Sequence, residues 1–294
     1  ADLKIADLND LVLVWTDADG NRSSITGSAR IGYGLSVPTV RADLLLDPIS
    51  MRAFARLGTT LAIRSSYAGR VTADGTLDSL GWQANLTADS SGRVVLDGTA
   101  SLQRGTWRAT AAGTLADVDT RRWLGRDDVP VTALSGTLAL AGAGTRDTAG
   151  AFFVSAARGT IALRQTEAAE RPAFDLVASA LLDSTRLRVD SATMHLGGVT
   201  LEATGALARN ASAGATAAIS DTMTVSATAD TLDLVRRQLT RLAATIQPLD
   251  SASAASLRSF AADTIRGDAS VSGYLVGSLD DFDATLALGA RDVQ

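Results

Sequence analysis

The chain contains no cysteine among its 294 residues. That excludes a disulfide framework, thiolate metal sites and cysteine nucleophiles. It has a single histidine, His195, so any histidine-based triad, dyad or multi-histidine metal site has one possible member. Lys4 is the only lysine, and arginine supplies almost all the positive charge, which reads as coding bias without functional weight. Aromatic residues make up 4% of a chain that is 46% hydrophobic, so Ala, Val and Leu carry the hydrophobicity. A chain of this kind has apolar faces but few bulky anchors, which suits a long thin sheet. The formal net charge is −5, with Asp and Arg spread along the chain, and nothing resembles the basic stripe of a nucleic-acid binder. No stretch reaches the roughly 18 uninterrupted apolar residues of a membrane span, and no charged-then-apolar signal pattern opens the chain. It begins at Ala1 and stops at Gln294 after a strand-like run, the expected look of an interior piece of a longer polypeptide whose targeting elements lie elsewhere.

What is present is alternation with a period of two. Tyr67, Gly69, Val71, Ala73, Gly75 and Leu77 form one run, and Val94, Leu96, Gly98, Ala100 and Leu102 another. Trp107 to Leu115, Leu134 to Leu140, Phe174 to Leu182, Val199 to Leu207 and Met223 to Ala229 continue the pattern. The last run steps through Val271, Gly273, Leu275, Gly277 and Leu279, then Leu286 and Leu288. Turn signals punctuate the runs at Asp19-Gly20-Asn21, Asp74-Gly75, Ser91-Gly92, Asp97-Gly98, Gly142 to Gly144 and Asn210 to Gly214. Strands of about ten residues joined by tight turns predict a mainly antiparallel, all-β protein with a few short helices.

Three segments break the alternation and predict helical inserts near 47–57, 118–124 and 231–262. In the first, Asp47 is the expected N-cap, Pro48 the first helical residue and Gly58 the stop. The second runs from Asp117 into Gly125. The third places Leu232, Val235, Leu239 and Leu242 on one face and is interrupted by Pro248. Each insert is followed by a glycine-punctuated strand, which exposes an internal repeat: Gly69-x5-Gly75, Gly136 with Gly142 six residues on, and Gly267-x5-Gly273. The expected organisation is one continuous repetitive segment over 1–294, in units of approximately 40–110, 111–170, 171–220 and 221–294.

Signs of chemistry are few. Arg266-Gly267-Asp268 spells an adhesion tripeptide, but it abuts a helix end and leads straight into a strand, so it reads as a chance match. Asp280, Asp281 and Asp283 would offer oxygen ligands to a hard cation, yet a polar β-turn explains them, as it does Asp78 in the matching step. Asp17 to Asn21 resembles half a calcium loop but has Gly20 two places too early, and reads as a hairpin turn. With no phosphate-cradling loop, no nucleophile elbow and scattered carboxylates, an enzyme is not expected, and no cofactor or metal site is nominated.

The repeat itself carries a likeness. "GTLADVDTRRWLGRDDVPVTALSGTLALAGAGT", Gly113 to Thr145, resembles the periplasmic TamB and AsmA-like family of diderm bacteria. So do "ADTLDLVRRQL" with "IRGDASVSGYLVGSLDDFDATLAL", and the first copy, "ADLLLDPISMRAFARLG" with "YAGRVTADGTLDSLGWQANLTAD". The shared layout is a D-hydrophobic-D-hydrophobic strand, a small helix, then strands with G-x-L and G-[ST]-L steps; the family's Pro after that step is absent here, where Leu80 and Phe282 stand.

The resemblance implies a long, twisted antiparallel β-sheet curled into an open U-shaped trough with a hydrophobic interior. The implied function is that of an inner-membrane-anchored bridge across the periplasm, conducting phospholipids toward the outer membrane. The implied partners are phospholipid acyl chains and an outer-membrane barrel protein of the BamA/TamA type. The inserts would cap openings in the trough, pack on an edge or mark its hinges.

Alternating strands suit such a lining because every second side chain faces one way. A sixteen-carbon chain in water costs about 12 kcal/mol at about 0.8 kcal/mol per CH₂, so an apolar route needs no catalytic group. The candidate lining residues are Val71, Leu77, Leu96, Leu115, Leu138, Leu140, Leu176, Leu201, Leu207, Val225, Val271, Leu275, Leu279, Leu286 and Leu288. Three alternatives stay open on the residues alone. The apolar face would be the filled core of a sandwich or barrel, the chain would be an adhesin-type passenger with a closed core, or it would serve outer-membrane protein assembly through an exposed sheet edge.

Overall fold

The computed structural model describes residues 4–17, 20–33, 37–50, 65–88, 91–103, 105–125, 129, 131–146, 152–166, 173–209, 221–233, 267–279 and 281–292. The alternating runs form fifteen antiparallel strands, hydrogen-bonded in the order in which they occur in the chain. They are β1 (Lys4–Thr16), β2 (Arg22–Tyr33), β3 (Thr39–Ser50), β4 (Ser66–Thr76), β5 (Ser79–Ala88), β6 (Ser91–Gln103), β7 (Thr106–Val118) and β8 (Leu134–Arg146). Then come β9 (Phe152–Gln165), β10 (Phe174–Leu182), β11 (Arg186–Leu196), β12 (Val199–Ala208), β13 (Thr222–Ala229), β14 (Asp268–Gly277) and β15 (Phe282–Arg291). A short helix, α1 (Thr120–Leu124), lies between β7 and β8, and the described residues Leu232 and Asp233, at the start of the third expected insert, are also helical. The chain divides into two compact units: residues 1–126 with 132–154, and residues 127–131 with 155–294.

The expectation of a U-shaped trough is overturned. The sheet is neither curled nor closed. The connectivity leaves it unclosed: tight hairpins let each described strand satisfy its ladder with the strand next to it in sequence, and among the described residues no strand pairing joins β1 to β15. In the second unit a contact beyond immediate neighbours joins the ends of β12 and β14. There Ala208 bridges Ser278 and the Leu279 N–H donates to the Ala208 carbonyl at 2.9 Å.

The helical expectations divide. Asp119 caps α1, its carboxylate accepting from the Arg121 N–H at 3.1 Å, and Gly125 ends it in the left-handed region at φ 62°. Asp47 and Pro48 do not open a helix. They belong to β3, where the two of them oppose the single residue Ala68 in a bulge between Leu46 and Ile49. The strand reaches Ser50 because Ile49 and Ser50 find partners in Tyr67 and Ser66, and tertiary pairing outweighs a local capping signal. The rest of that insert, and residues 234–262 of the third, lie outside the described residues. Four proposed turns also prove misplaced. Ser91-Gly92 and Asp97-Gly98 lie within β6, Gly142 to Gly144 within β8, and Asp74-Gly75 within β4, whose hairpin turns at Leu77-Asp78 instead. The Asn210 to Gly214 signal falls outside the described residues.

Bulges sit where an aspartate adopts a positive φ: Asp10 at 56° in β1 and Asp117 at 51° in β7. Aspartate tolerates this conformation better than most residues, and each bulge resets the alternation so that the apolar residues beyond it return to the same face.

The glycine repeat has a register meaning. Gly69 and Gly136 fall in one cross-strand row, and Gly75 and Gly142 in another. Gly69 has φ 142°, and a Cβ there would collide with the Asn85 carbonyl of β5. Gly81, by contrast, would hold a Cβ at an ordinary 3.5 Å from the Asp74 carbonyl oxygen. Gly69→Ala is therefore expected to lower stability by about 2–3 kcal/mol and Gly81→Ala by less than about 0.5, as read from urea denaturation midpoints.

Candidate functional site

Registers across β1 to β8 place the alternating residues in cross-strand rows. One row reads Leu11, Gly27, Leu44, Val71, Ala84, Leu96, Gly113, Leu138. The next, two residues along each strand, reads Leu8, Ala29, Ala42, Ala73, Trp82, Gly98, Ala111, Leu140. On the other side of the first lies Leu13, Ile25, Leu46, Gly69, Leu86, Val94, Leu115, Gly136. A fourth row runs from Ala6 through Ile31, Val40, Gly75, Leu80, Ala100 and Ala109 to Gly142. The four rows contain no charged side chain and one side-chain polar atom, the indole nitrogen of Trp82. That indole lies across Gly98, where a Cβ would stand 2.8 Å from its Cζ2.

The second unit repeats the arrangement. Leu163, Leu176, Met194, Leu201, Ala227, Val271 and Leu288 form one row, and Ile161, Ala178, Ala192, Ala203, Val225, Gly273 and Leu286 the next. Gly159, Ala180, Val189, Gly205, Met223, Leu275 and Ala284 make a third.

Of the candidate residues, Val71, Leu96, Leu115, Leu138 and Leu140 thus share the apolar face of the first unit. Leu176, Leu201, Val225, Val271, Leu275, Leu286 and Leu288 share that of the second, together with Leu207, which pairs with Leu187. Leu77 and Leu279 sit in turns instead. The Leu77 N–H donates to the Pro38 carbonyl at 3.0 Å, and its own carbonyl accepts from the Leu102 N–H at 2.7 Å. Both turn leucines stitch the sheet through their backbones, which is what the G-[ST]-L step does in these two copies.

Among the described residues no second sheet faces these rows, and each strand packs chiefly against its sequence neighbours. Most of the apolar side chains are therefore half-buried by one another, and some stand well into solvent: Leu140 is 48% exposed, Leu286 56% and Leu288 78%. A packed core exists only locally. In the first unit it gathers where α1 meets the strand ends, with Ile49, Ala88, Val94 and Val118 buried. Tyr67 and Trp123 stack edge to face there at 5.1 Å, the Trp123 indole N–H donates to the Ser91 carbonyl at 2.6 Å, and the Tyr67 hydroxyl donates to the Trp123 carbonyl. In the second unit it gathers around Ala206, Leu207, Ala208 and Met223.

The opposite face carries the ion pairs, among which the exposed side chains of Val12, Val14, Leu45 and Val95 also stand. Arg30 pairs with Asp7, Arg70 with Asp43, and Arg41 with Asp74 at 2.9 Å. The hydrogen bond from Arg70 holds the Asp43 carboxyl below its ordinary pKa, and Asp43 in turn raises the Arg70 guanidinium. Two shallow hollows on the first unit, of about 460 and 630 Å³, are lined partly by these charges. His195 lies on the polar face of β11, its Nδ1 2.9 Å from Thr200 Oγ1, with Asp175 as its cross-strand neighbour. Among the described residues no three His, Cys, Asp or Glu side chains converge on a possible metal position. Asp281 closes the polar turn after β14, its N–H donating to Ser278 Oγ at 3.1 Å, while Asp283 lies in β15; Asp280 falls outside the described residues.

Sequence reasoning missed the share of β1 to β3 in the apolar face: Leu8, Leu11, Leu13, Ile25, Ile31, Leu44 and Leu46. The signal was there in Ile25, Gly27, Ala29 and Ile31. In β1 the bulge at Asn9-Asp10 shifts the phase between Leu8 and Leu11, which hides the alternation from a strict count.

The clearest electrostatic feature is the turn between β10 and β11. Asp183 Oδ1 accepts from the Thr185 hydroxyl at 2.7 Å, the Thr185 N–H at 2.8 Å and the Arg186 N–H at 2.9 Å. These bonds, the Thr185 hydroxyl foremost, lower its pKa to about 2. A lowered folded-state pKa contributes stability that is fully present above the unfolded value of about 3.9 and is lost as pH falls toward 2. In Thr185→Val the Asp183 carboxyl is expected to titrate closer to 4, followed by carbon-detected NMR, and the turn's contribution should fade at correspondingly higher pH.

Comparison with family models, with curated proteins and with solved structures finds no match to this chain.

Proposed function

We propose that the apolar face of each unit is a contact surface for the acyl chains of phospholipids. On this reading the chain is a segment of a membrane-anchored periplasmic protein that passes phospholipids between inner and outer membranes and so supports outer-membrane biogenesis. The layout resemblance to the TamB and AsmA-like family, with a barrel protein of the outer membrane as partner, supports the cellular setting. The carrying observation is the set of cross-strand rows, which keep an apolar residue at every position from β1 to β8 while the charged residues of these strands lie on the other face.

The uncurled sheet alters the energetics expected of an enclosing trough. An acyl chain lying on an open face hides roughly half its surface, so a sixteen-carbon chain gains about 6 kcal/mol where full enclosure would give about 12. Held that loosely and without directional bonds, a chain moves from strand to strand with small barriers. The face offers no group that would fix a headgroup, which stays in water.

Site-specific photo-crosslinkers test the assignment. At Leu138, Leu201 and Leu286, on the apolar faces, phospholipid is expected to be captured from native membranes. At Thr137 and Glu202, which pair into polar rows with Thr114 and with Thr193 and Ser226, capture is expected to be at background. Equal labelling of both faces would remove the proposal.

A further inference from the structure

We infer that, without lipid, two copies of this chain pair face to face through the apolar rows of β1 to β8. The inference does not depend on the lipid reading, since it needs only an apolar face that nothing among the described residues covers.

The area is sufficient. Eight strands at about 4.8 Å and four rows at about 6.8 Å make a patch of about 1,000 Å². A stable protein interface needs about 800 Å² from each partner. No charge has to be stripped of water to form the contact, because the rows contain none.

The pattern of sizes then favours a second copy. Along the neighbouring strands β3 and β4, residues two apart on this face pair a larger with a smaller side chain: Leu44 with Ala42, and Val71 with Ala73. A two-fold axis running between these two rows, across the strands, sets each strand opposite the same strand of the other copy. It seats Leu44 on the other copy's Ala42 and Val71 on its Ala73. Such a contact is isologous, and large-into-small seating is how aligned sheets about 10 Å apart interdigitate.

Sedimentation equilibrium of the delipidated full chain tests this. At about 50 µM the mass is expected to be twice the 30.2 kDa of one copy, and to fall toward one copy on dilution. Leu140, 48% exposed on the same face, accepts a charge without unfolding, so Leu140→Asp should weaken the dimer at least about tenfold with circular dichroism unchanged. Thr137→Asp, on the polar face, should leave it intact. Because the chain has no cysteine, single-cysteine versions give a second reading. Maleimide labelling of Leu140→Cys should slow as concentration rises, while that of Thr137→Cys should not. A lipid-free chain that stays monomeric at about 100 µM, or equal weakening by both aspartates, would each overturn the dimer.

Discussion

Each described strand of this protein takes its hydrogen-bond partners from the strands beside it in sequence, and the rest of the structure depends on that constraint. Because side chains alternate with a period of two, a slip of one residue in any ladder would send a whole strand's apolar set to the wrong side. The rows from Leu11 to Leu138 and from Leu163 to Leu288 show that the register holds across many hairpins. Where an extra residue enters, as at Asp10, Asp47 or Asp117, a bulge absorbs it and the apolar residues beyond it rejoin their face.

A sheet held this way derives its stability mainly from neighbouring ladders and the half-burial of each side chain by the next. Fully buried residues are few, and they collect where something besides a neighbouring strand is present: α1 with Tyr67 and Trp123 in the first unit, the Ala208 to Ser278 bridge in the second. The ion pairs of the polar face are solvent-exposed and contribute little each, but they set its character. Together the two faces make the sheet strongly asymmetric, and that asymmetry underlies both the lipid-contact reading and the pairing of copies.

Much of the candidate face was legible from residues alone. Thirteen of the fifteen residues expected on it share the apolar face of their unit, because an alternating run of Val, Leu, Ala and Gly has one way to be a half-buried strand. The two that do not, Leu77 and Leu279, belong to the same alternating runs but lie just past the last ladder position, where the chain turns. Asp47-Pro48 misled for a different reason. A strong capping signal was overridden by the pairing of Ile49 with Tyr67, a partner that local sequence does not reveal. Leu8, Leu11 and Leu13 were missed because a bulge changes phase and a strict period does not see through it.

The sequence by itself determined which side chains stand together, since alternation and tight turns are local properties that every strand carries in its own residues. Whether the sheet bends over its apolar face was decided only in the tertiary structure. Curl accumulates from the twist and bulges of many successive strands, and no periodicity within one strand encodes it. The same residues that would line an enclosed trough here form an open face.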